Sequence, residues 1–346
     1  MKKIIPLLVL VLILGACGQS AVPQNKADET EKVEVYTTVY PLTYFTERIG
    51  GERVNVNSVY PAGANEHTFE PTQKDMIALA EADLMFYVGL GLEGFIDNAK
   101  KTLENESVKF VATADAITDE ELESGGVHEA HEEETHDEES HEEHEHEDEA
   151  HEDEHEAHEE EHGTDSHEGH NHGDTDPHVW ISPVLSQKLA LSIKDSLTQA
   201  DPEGAETYDA NYTKLISELK KLDQSFADLS ERVTNKTFFV SHSAFGYIAE
   251  PYGFEQISVA GLNSQDEPSQ KELTKIVDLA KEKNINYIIF EQNVSSKLTE
   301  VIQNEVGAEA LQMHNLGVLT QENIDNNETY FTLMEKNLQV LETALK

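Results

Sequence analysis

The chain holds one cysteine, Cys17, in 346 residues. A disulfide within the chain is therefore impossible, and a zinc site built on thiolates is excluded. Long apolar runs are also missing. The longest, Ile4 to Leu14, falls short of the ~20 residues that a bilayer-spanning helix needs. No Walker-type GK[ST] is present, which leaves nucleotide binding without support. Positive charge is scarce, and no Lys or Arg lies between Lys109 and Lys188. Without a basic patch to neutralise phosphates, nucleic acid is not expected as a partner.

What fills that gap is acid and histidine. The formal charge is −45, of which 28 acidic residues lie in Asp119 to Asp176. The rest of the chain has 41 acids against 24 Lys and Arg, a moderate −17. Thirteen of the seventeen histidines sit in the same tract: His128, His131, His136, His141, His144, His146, His151, His155, His158, His162, His167, His170 and His172. Such a composition cannot build a core, so 119–175 is expected to be a disordered insert. Its histidines are spaced by two, three, four or five residues, which specifies no tetrahedral geometry. Several weak, interchanging accessory metal sites are expected, in a tract whose negative potential concentrates divalent cations. The plainer alternative is a solvated linker, and the histidine density weighs against it.

The first residues read as a secretory signal, with Lys2 and Lys3 ahead of the apolar run. Leu14-Gly15-Ala16-Cys17 resembles a bacterial lipobox, which makes Cys17 the expected lipidation site. Gly18 to Lys32 is polar and without apolar periodicity, as a flexible tether would be. The protein is then extracytoplasmic and lipid-anchored to the outer face of the cytoplasmic membrane, which is the cell surface in a Gram-positive organism.

Beyond the tether, strand-like runs alternate with helical ones. Val33 to Val39, "VNVNSVYP", Leu84 to Val88 and "SVKFVATAD" read as strands, and Met76, Ile77, Leu79 and Ala80 are expected on one helix face. After the insert, Tyr208, Tyr212, Leu215, Leu219, Leu222, Phe226 and Leu229 recur every three or four residues, in a long helix expected over Glu203 to Val233. The second half repeats the strand-and-helix alternation from "TFFVSH" onward. The expected fold is α/β: two lobes, each with a mostly parallel sheet flanked by helices, joined by a long rigid helix. The expected divisions are a signal peptide (1–16), a lipidated tether (17–32), an N-terminal lobe with the insert (33–183), a helical segment with the long helix (184–235) and a C-terminal lobe (236–346).

Four short motifs carry candidate chemistry: "GANEHTFEP" with His67, "DPHVWISP" with His178, "FFVSHSAFGYIAEPYGF" with His242 and "INYIIFEQNVSSK" with Glu291. His242 and Glu291 follow strands, where open α/β sheets place their ligand sites. Three imidazoles and a carboxylate suit Zn²⁺, which takes four N, O or S ligands in a tetrahedron. Imidazole favours zinc over calcium or magnesium, and Mn²⁺ is also compatible with a mixed N and O set. Any one of these histidines read alone is a turn-capping residue as readily as a ligand.

In this order the motifs resemble the substrate-binding lipoproteins of bacterial metal ABC transporters, most closely the zinc branch of ZnuA/AdcA type (cluster A-I). The resemblance runs from about Val33 to Lys346, through "TTVYPLTYF", "GANEHTFEPT", "DPHVWISPV", "SHSAFGYIAEPYGF", "AGLNSQDEPS" and "IIFEQNVSSK". A His-rich acidic insert before "DPHVW" is itself typical of that branch. The resemblance implies two α/β lobes bridged by a rigid helix, with metal buried in the cleft. His67 and His178 would be first-lobe ligands, and His242 and Glu291 second-lobe ligands. Glu66 is the competing fourth ligand. The manganese branch usually has a glutamate and an aspartate where this chain has His242 and Glu291. The implied function is capture of Zn²⁺, without bond chemistry, and delivery to an ABC transporter permease and its ATPase by a monomer. The rivals are a manganese-binding member of the family, a zinc buffer, an adhesin and a zinc hydrolase. Four protein ligands would leave a hydrolase no open position for water.

Overall fold

The structure, a computed structural model, describes residues 32–124, 175–292 and 297–346. The leader, the tether with Cys17 and all thirteen histidines of the acidic tract lie outside the described residues. The first lobe runs β1 (Val33–Thr37), α1 (Tyr40–Gly50), β2 (Val54–Ser58), α2 (Gln73–Ala80), β3 (Leu84–Tyr87), α3 (Ile96–Thr102) and β4 (Lys109–Ala112). Its strands form one parallel sheet in the order β2-β1-β3-β4. Then come α4 (Asp119–Glu123), α5 (Pro183–Ala200) and the long α6 (Ala205–Arg232). The second lobe runs β5 (Thr237–His242), α7 (Gly246–Ala249), β6 (Glu255–Ala260), α8 (Gln270–Glu282), β7 (Tyr287–Glu291), α9 (Lys297–Val306), β8 (Glu309–Met313), α10 (Gln321–Asp325) and α11 (Tyr330–Ala344). Its sheet, also parallel, has the order β6-β5-β7-β8.

The central strands are covered on both faces. Every residue of β3 (LMFY) and β5 (TFFVSH) is buried, as near-continuous apolar runs in parallel sheets should be. In each sheet the chain order reverses beside the first strand, between β1 and β3 and between β5 and β7. Such switch points leave a crevice beyond the strands' carboxyl ends. His242 ends β5 and Glu291 ends β7, so both face the second lobe's crevice.

The helices start where the sequence supplies oxygen to their free amides. Thr72, Ser269, Thr320 and Thr329 each form a capping box with the residue three further on. Ser182 caps α5 by accepting from Leu185 N, with Pro183 in the first turn. On α6 the expected stripe is the inward face: Tyr208, Leu215, Leu219, Leu222, Phe226 and Leu229 are buried. This helix packs on α1, α5 and α11. Arg48 on α1 grips Glu218 on α6 with two nitrogens, at 2.8 and 3.0 Å. Arg53 does the same to Asp201, at 2.6 and 2.7 Å.

One apolar cluster continues from Val33 through α5 and α6 to Leu345, so the two lobes share a core. A smaller cluster of Phe239, Val259, Ala280, Ile288, Ile302 and Ala308 lies beneath α8 and α9. Lys32–Lys346 accordingly forms one unit. No helix among the described residues is long and apolar enough to cross a membrane.

Two details depart from the sequence expectations, and a third concerns a spacing the sequence reading passes over. In α2 only Leu79 is fully buried, and Ile77 is 65% exposed; the ~100° step per residue carries it off the inner face. The acidic tract does not begin unstructured, because Asp119–Glu123 is helical. Thr118 and Glu121 close a capping box there, and the acids of the first turn suit the helix dipole. Third, Gly89-Leu90-Gly91-Leu92-Glu93-Gly94 has the GxGxxG spacing of a dinucleotide loop and follows β3. Here the chain supplies its own anion. The buried Glu93 carboxylate accepts from Val88 N (2.8 Å), Gly89 N (3.1 Å) and Thr38 Oγ1 (2.7 Å). Glu93 thereby takes the amides of Val88 and Gly89, where the chain leaves β3 and enters the loop.

Candidate metal centre

His67 lies between β2 and α2, in a loop turned by Asn65, whose Oδ1 accepts from His67 N at 2.9 Å. Asn65 Nδ2 also donates to Ser264 Oγ of the second lobe, at 3.1 Å. His178 follows the acidic tract and caps a short 3₁₀ turn of buried Val179, Trp180 and Ile181. Asp176 Oδ1 accepts from both the backbone N (2.9 Å) and the ring Nδ1 (2.7 Å) of His178. That bond puts the proton on Nδ1 and presents Nε2 as a lone pair. His242 and Glu291 meet across the β5–β7 switch point. His242 Nδ1 lies 3.0 and 3.1 Å from the two Glu291 oxygens.

The three imidazoles converge. One ligand atom from each of His67, His178 and His242 lies within 4.8 Å of the others, and the ring centroids are 4.9–5.2 Å apart. His67 Nε2 and His178 Nε2 are 3.3 Å apart. Tetrahedral zinc with Zn–N of ~2.0–2.1 Å separates two nitrogens by about 3.3 Å, so this pair already has the spacing of one edge of a zinc tetrahedron. His242 is set for a different occupant. Both its nitrogens face oxygen, Glu291 on one side and Leu262 O at 2.9 Å on the other, as an imidazolium would.

The electrostatics follow from these surroundings. Burial, reinforced by the other two rings, pushes His67 down to about 3, so it is neutral and ready to bind. Burial opposes charge on His242, but Glu291 outweighs it and raises the ring to about 9. Burial raises the Glu66 carboxyl, with Glu291 adding to the rise.

The family described as ZnuA, zinc-uptake complex component A, periplasmic, matches residues 35–344.

The chain belongs to the ZnuA family.

The high-affinity zinc uptake system protein ZnuA of Bacillus subtilis is 33% identical over 334 residues, covering 96% of this chain and 94% of that protein. The zinc-binding protein AdcA of Streptococcus pyogenes serotype M3 is 35% identical over 340 residues and 98% of this chain. The chain spans only 61% of AdcA's length. Among solved structures, the Zn(II)-bound ZnuA-like domain of Streptococcus pneumoniae AdcA aligns with a TM-score of 0.67 at 28% identity. The alignment covers 91% of this chain and 99% of that domain. The two parallel four-stranded sheets and the long α6 are those of a ZnuA-type two-lobe protein.

All four expected ligand positions come together in this ZnuA fold, and Glu66 sits beside them. Glu291 touches His242 rather than standing apart as an independent ligand atom. Glu66 Oε1 lies 2.6 Å from where a Cβ on Gly317 would be, so only glycine fits at 317 while Glu66 keeps its place. Sequence reading quoted Asp176 only as the first letter of "DPHVWISP" and did not single out Glu93 or Asn315; all three act through hydrogen bonds. It also left His314 unplaced. That ring is buried, pushed down to about 4, and holds a loop by bonding Asn323 Oδ1 and Leu316 N. The acidic tract contains the HExxH spacing twice, at His151–His155 and His158–His162, as a by-product of its composition. Both lie outside the described residues.

Proposed function

We propose that this protein captures Zn²⁺ as cargo in the cleft between its lobes and delivers it to an ABC transporter permease for import. The observation that carries this reading is the convergence of His67, His178 and His242, with a His67–His178 nitrogen spacing that fits tetrahedral zinc. Glu291 supplies the fourth ligand. His67 and His178 are nearly in place. His242 must release its proton and one of its two oxygen partners before it binds. Capture then exchanges a proton and a hydrogen bond for the metal, and no covalent chemistry is needed. Three imidazoles against one carboxylate favour zinc over manganese.

Family membership supports a transport role rather than catalysis. Cys17 carries the lipid that holds the chain outside the cytoplasmic membrane, where it works as a monomer with the permease and its ATPase. The histidines of the acidic tract collect zinc and raise its local concentration near the cleft. Calorimetry of zinc binding by His67→Ala, His178→Ala and His242→Ala tests the site. Each is expected to weaken the tight site strongly while circular dichroism stays unchanged, and full affinity in all three would sink the assignment.

A further inference from the structure

Asn315, in the loop after β8, is 5% exposed. Its amide nitrogen donates to Glu66 Oε1 at 2.7 Å and to Glu291 Oε2 at 3.1 Å. Its amide oxygen accepts from Gly317 N at 2.9 Å. Its backbone carbonyl accepts the Trp180 indole N–H at 2.7 Å. The amide cannot be turned over: its oxygen would then face two carboxylates and its NH₂ would face an N–H. The chain is bent to hold it there. Leu316 takes a φ of 62°, which side-chain-bearing residues rarely adopt, and Leu316 N bonds back to His314 Nδ1 at 2.8 Å. A buried, fully engaged side chain on a strained turn thus joins a first-lobe carboxylate to a second-lobe one.

We propose that Asn315 is a specificity-determining residue: by holding one oxygen each of Glu66 and Glu291, it limits Glu291 to one-oxygen ligation and keeps Glu66 out of the coordination sphere. This rests on the zinc reading above. A carboxylate that binds through both oxygens, or a second carboxylate that joins, raises the coordination number. Higher coordination with more oxygen suits Mn²⁺ and does not suit tetrahedral Zn²⁺. Asn315 occupies Glu291 Oε2. Oε1, 3.4 Å from Ser241 Oγ and 3.1 Å from His242 Nδ1, is the oxygen that turns to the metal. Glu66 then stays beside the cation without ligating it.

The test uses the full chain with half an equivalent of Co²⁺, so that the tightest site fills first. Visible absorption is compared for wild type, Asn315→Ala, Asn315→Asp and the triple variant His67→Ala/His178→Ala/His242→Ala. Wild type is expected to give the intense band of tetrahedral cobalt, and the triple variant to lose it. Both Asn315 variants are expected to bind cobalt with a weaker, higher-coordinate spectrum. Their zinc-over-manganese preference should fall about tenfold or more, as for other partners that orient ligands. Circular dichroism of the metal-free proteins reports folding. Asn315→Asp preserves the shape of the side chain, so it carries the test if the alanine variant does not fold. A purely structural Asn315 would lower the melting temperature and leave band and preference alone. Wild-type band and preference in both variants overturns the role of Asn315 only. A wild type without the band, or a triple variant that keeps it, overturns the zinc reading and this inference together.

Discussion

In the proposed site His242 is the ligand that must lose a proton, because Glu291 and Leu262 O hold it as an imidazolium with its titration near 9. Zinc binds only the neutral ring, so each zinc bound near pH 7 releases about one proton. The sign follows directly. As pH falls below 9 the proton competes better, and apparent affinity drops by about tenfold per pH unit. His67, already neutral down to about 3, adds no proton over that range. Calorimetry in buffers of different ionisation enthalpy reads the proton count, and a zinc affinity flat from pH 6 to 8 contradicts it. Asp176 makes a second residue-scale prediction. It orients His178, so Asp176→Asn is expected to weaken zinc about 10–100-fold with the fold intact. The four expected ligand positions were legible because each sits in a short motif, two of them, His242 and Glu291, at strand ends. The roles of Asp176 and Asn315 were not: Asp176 opens "DPHVWISP" and Asn315 lies after β8, but neither letter shows which buried atom it will meet.

Among the elements, α6 does most to hold the lobes, and its stripe of buried Leu and aromatic residues could be read from spacing alone. Leu219 is fully buried in it. Leu219→Ala is expected to cost about 2–5 kcal/mol through lost burial and a residual cavity. Urea unfolding measures that loss, and the cobalt spectrum of the folded variant should match wild type. The strands were legible from composition, since β3 is LMFY and β5 carries the apolar run Phe238-Phe239-Val240. Short elements escaped. α3 offers seven residues and only Ile96 and Ala99 as buried positions, too few to establish a period. The GxGxxG letters before it would mislead a reader without coordinates, because Glu93 decides their role by folding back onto the amides of Val88 and Gly89.

At the scale of the whole molecule, the shared core of the two lobes opposes wide hinge opening, so on the proposed reading capture is expected to proceed through local rearrangement around His242 and its loop. On the same reading the acidic tract, which holds most of the histidines, is an auxiliary to a site that the lobes build without it. Deleting 125–174 while leaving both flanks is expected to preserve one tight zinc per chain, remove the weaker sites and slow growth when zinc is limiting. Unchanged total stoichiometry and growth would contradict the collecting role. The central claim is that the tight site belongs to the cleft. It is tested most directly by titrating zinc into the full chain against a chelator that keeps weak sites empty, with and without His67→Ala/His178→Ala/His242→Ala. One tight equivalent in wild type and none in the triple variant is the predicted result. Undiminished tight binding after all three histidines are lost would contradict it.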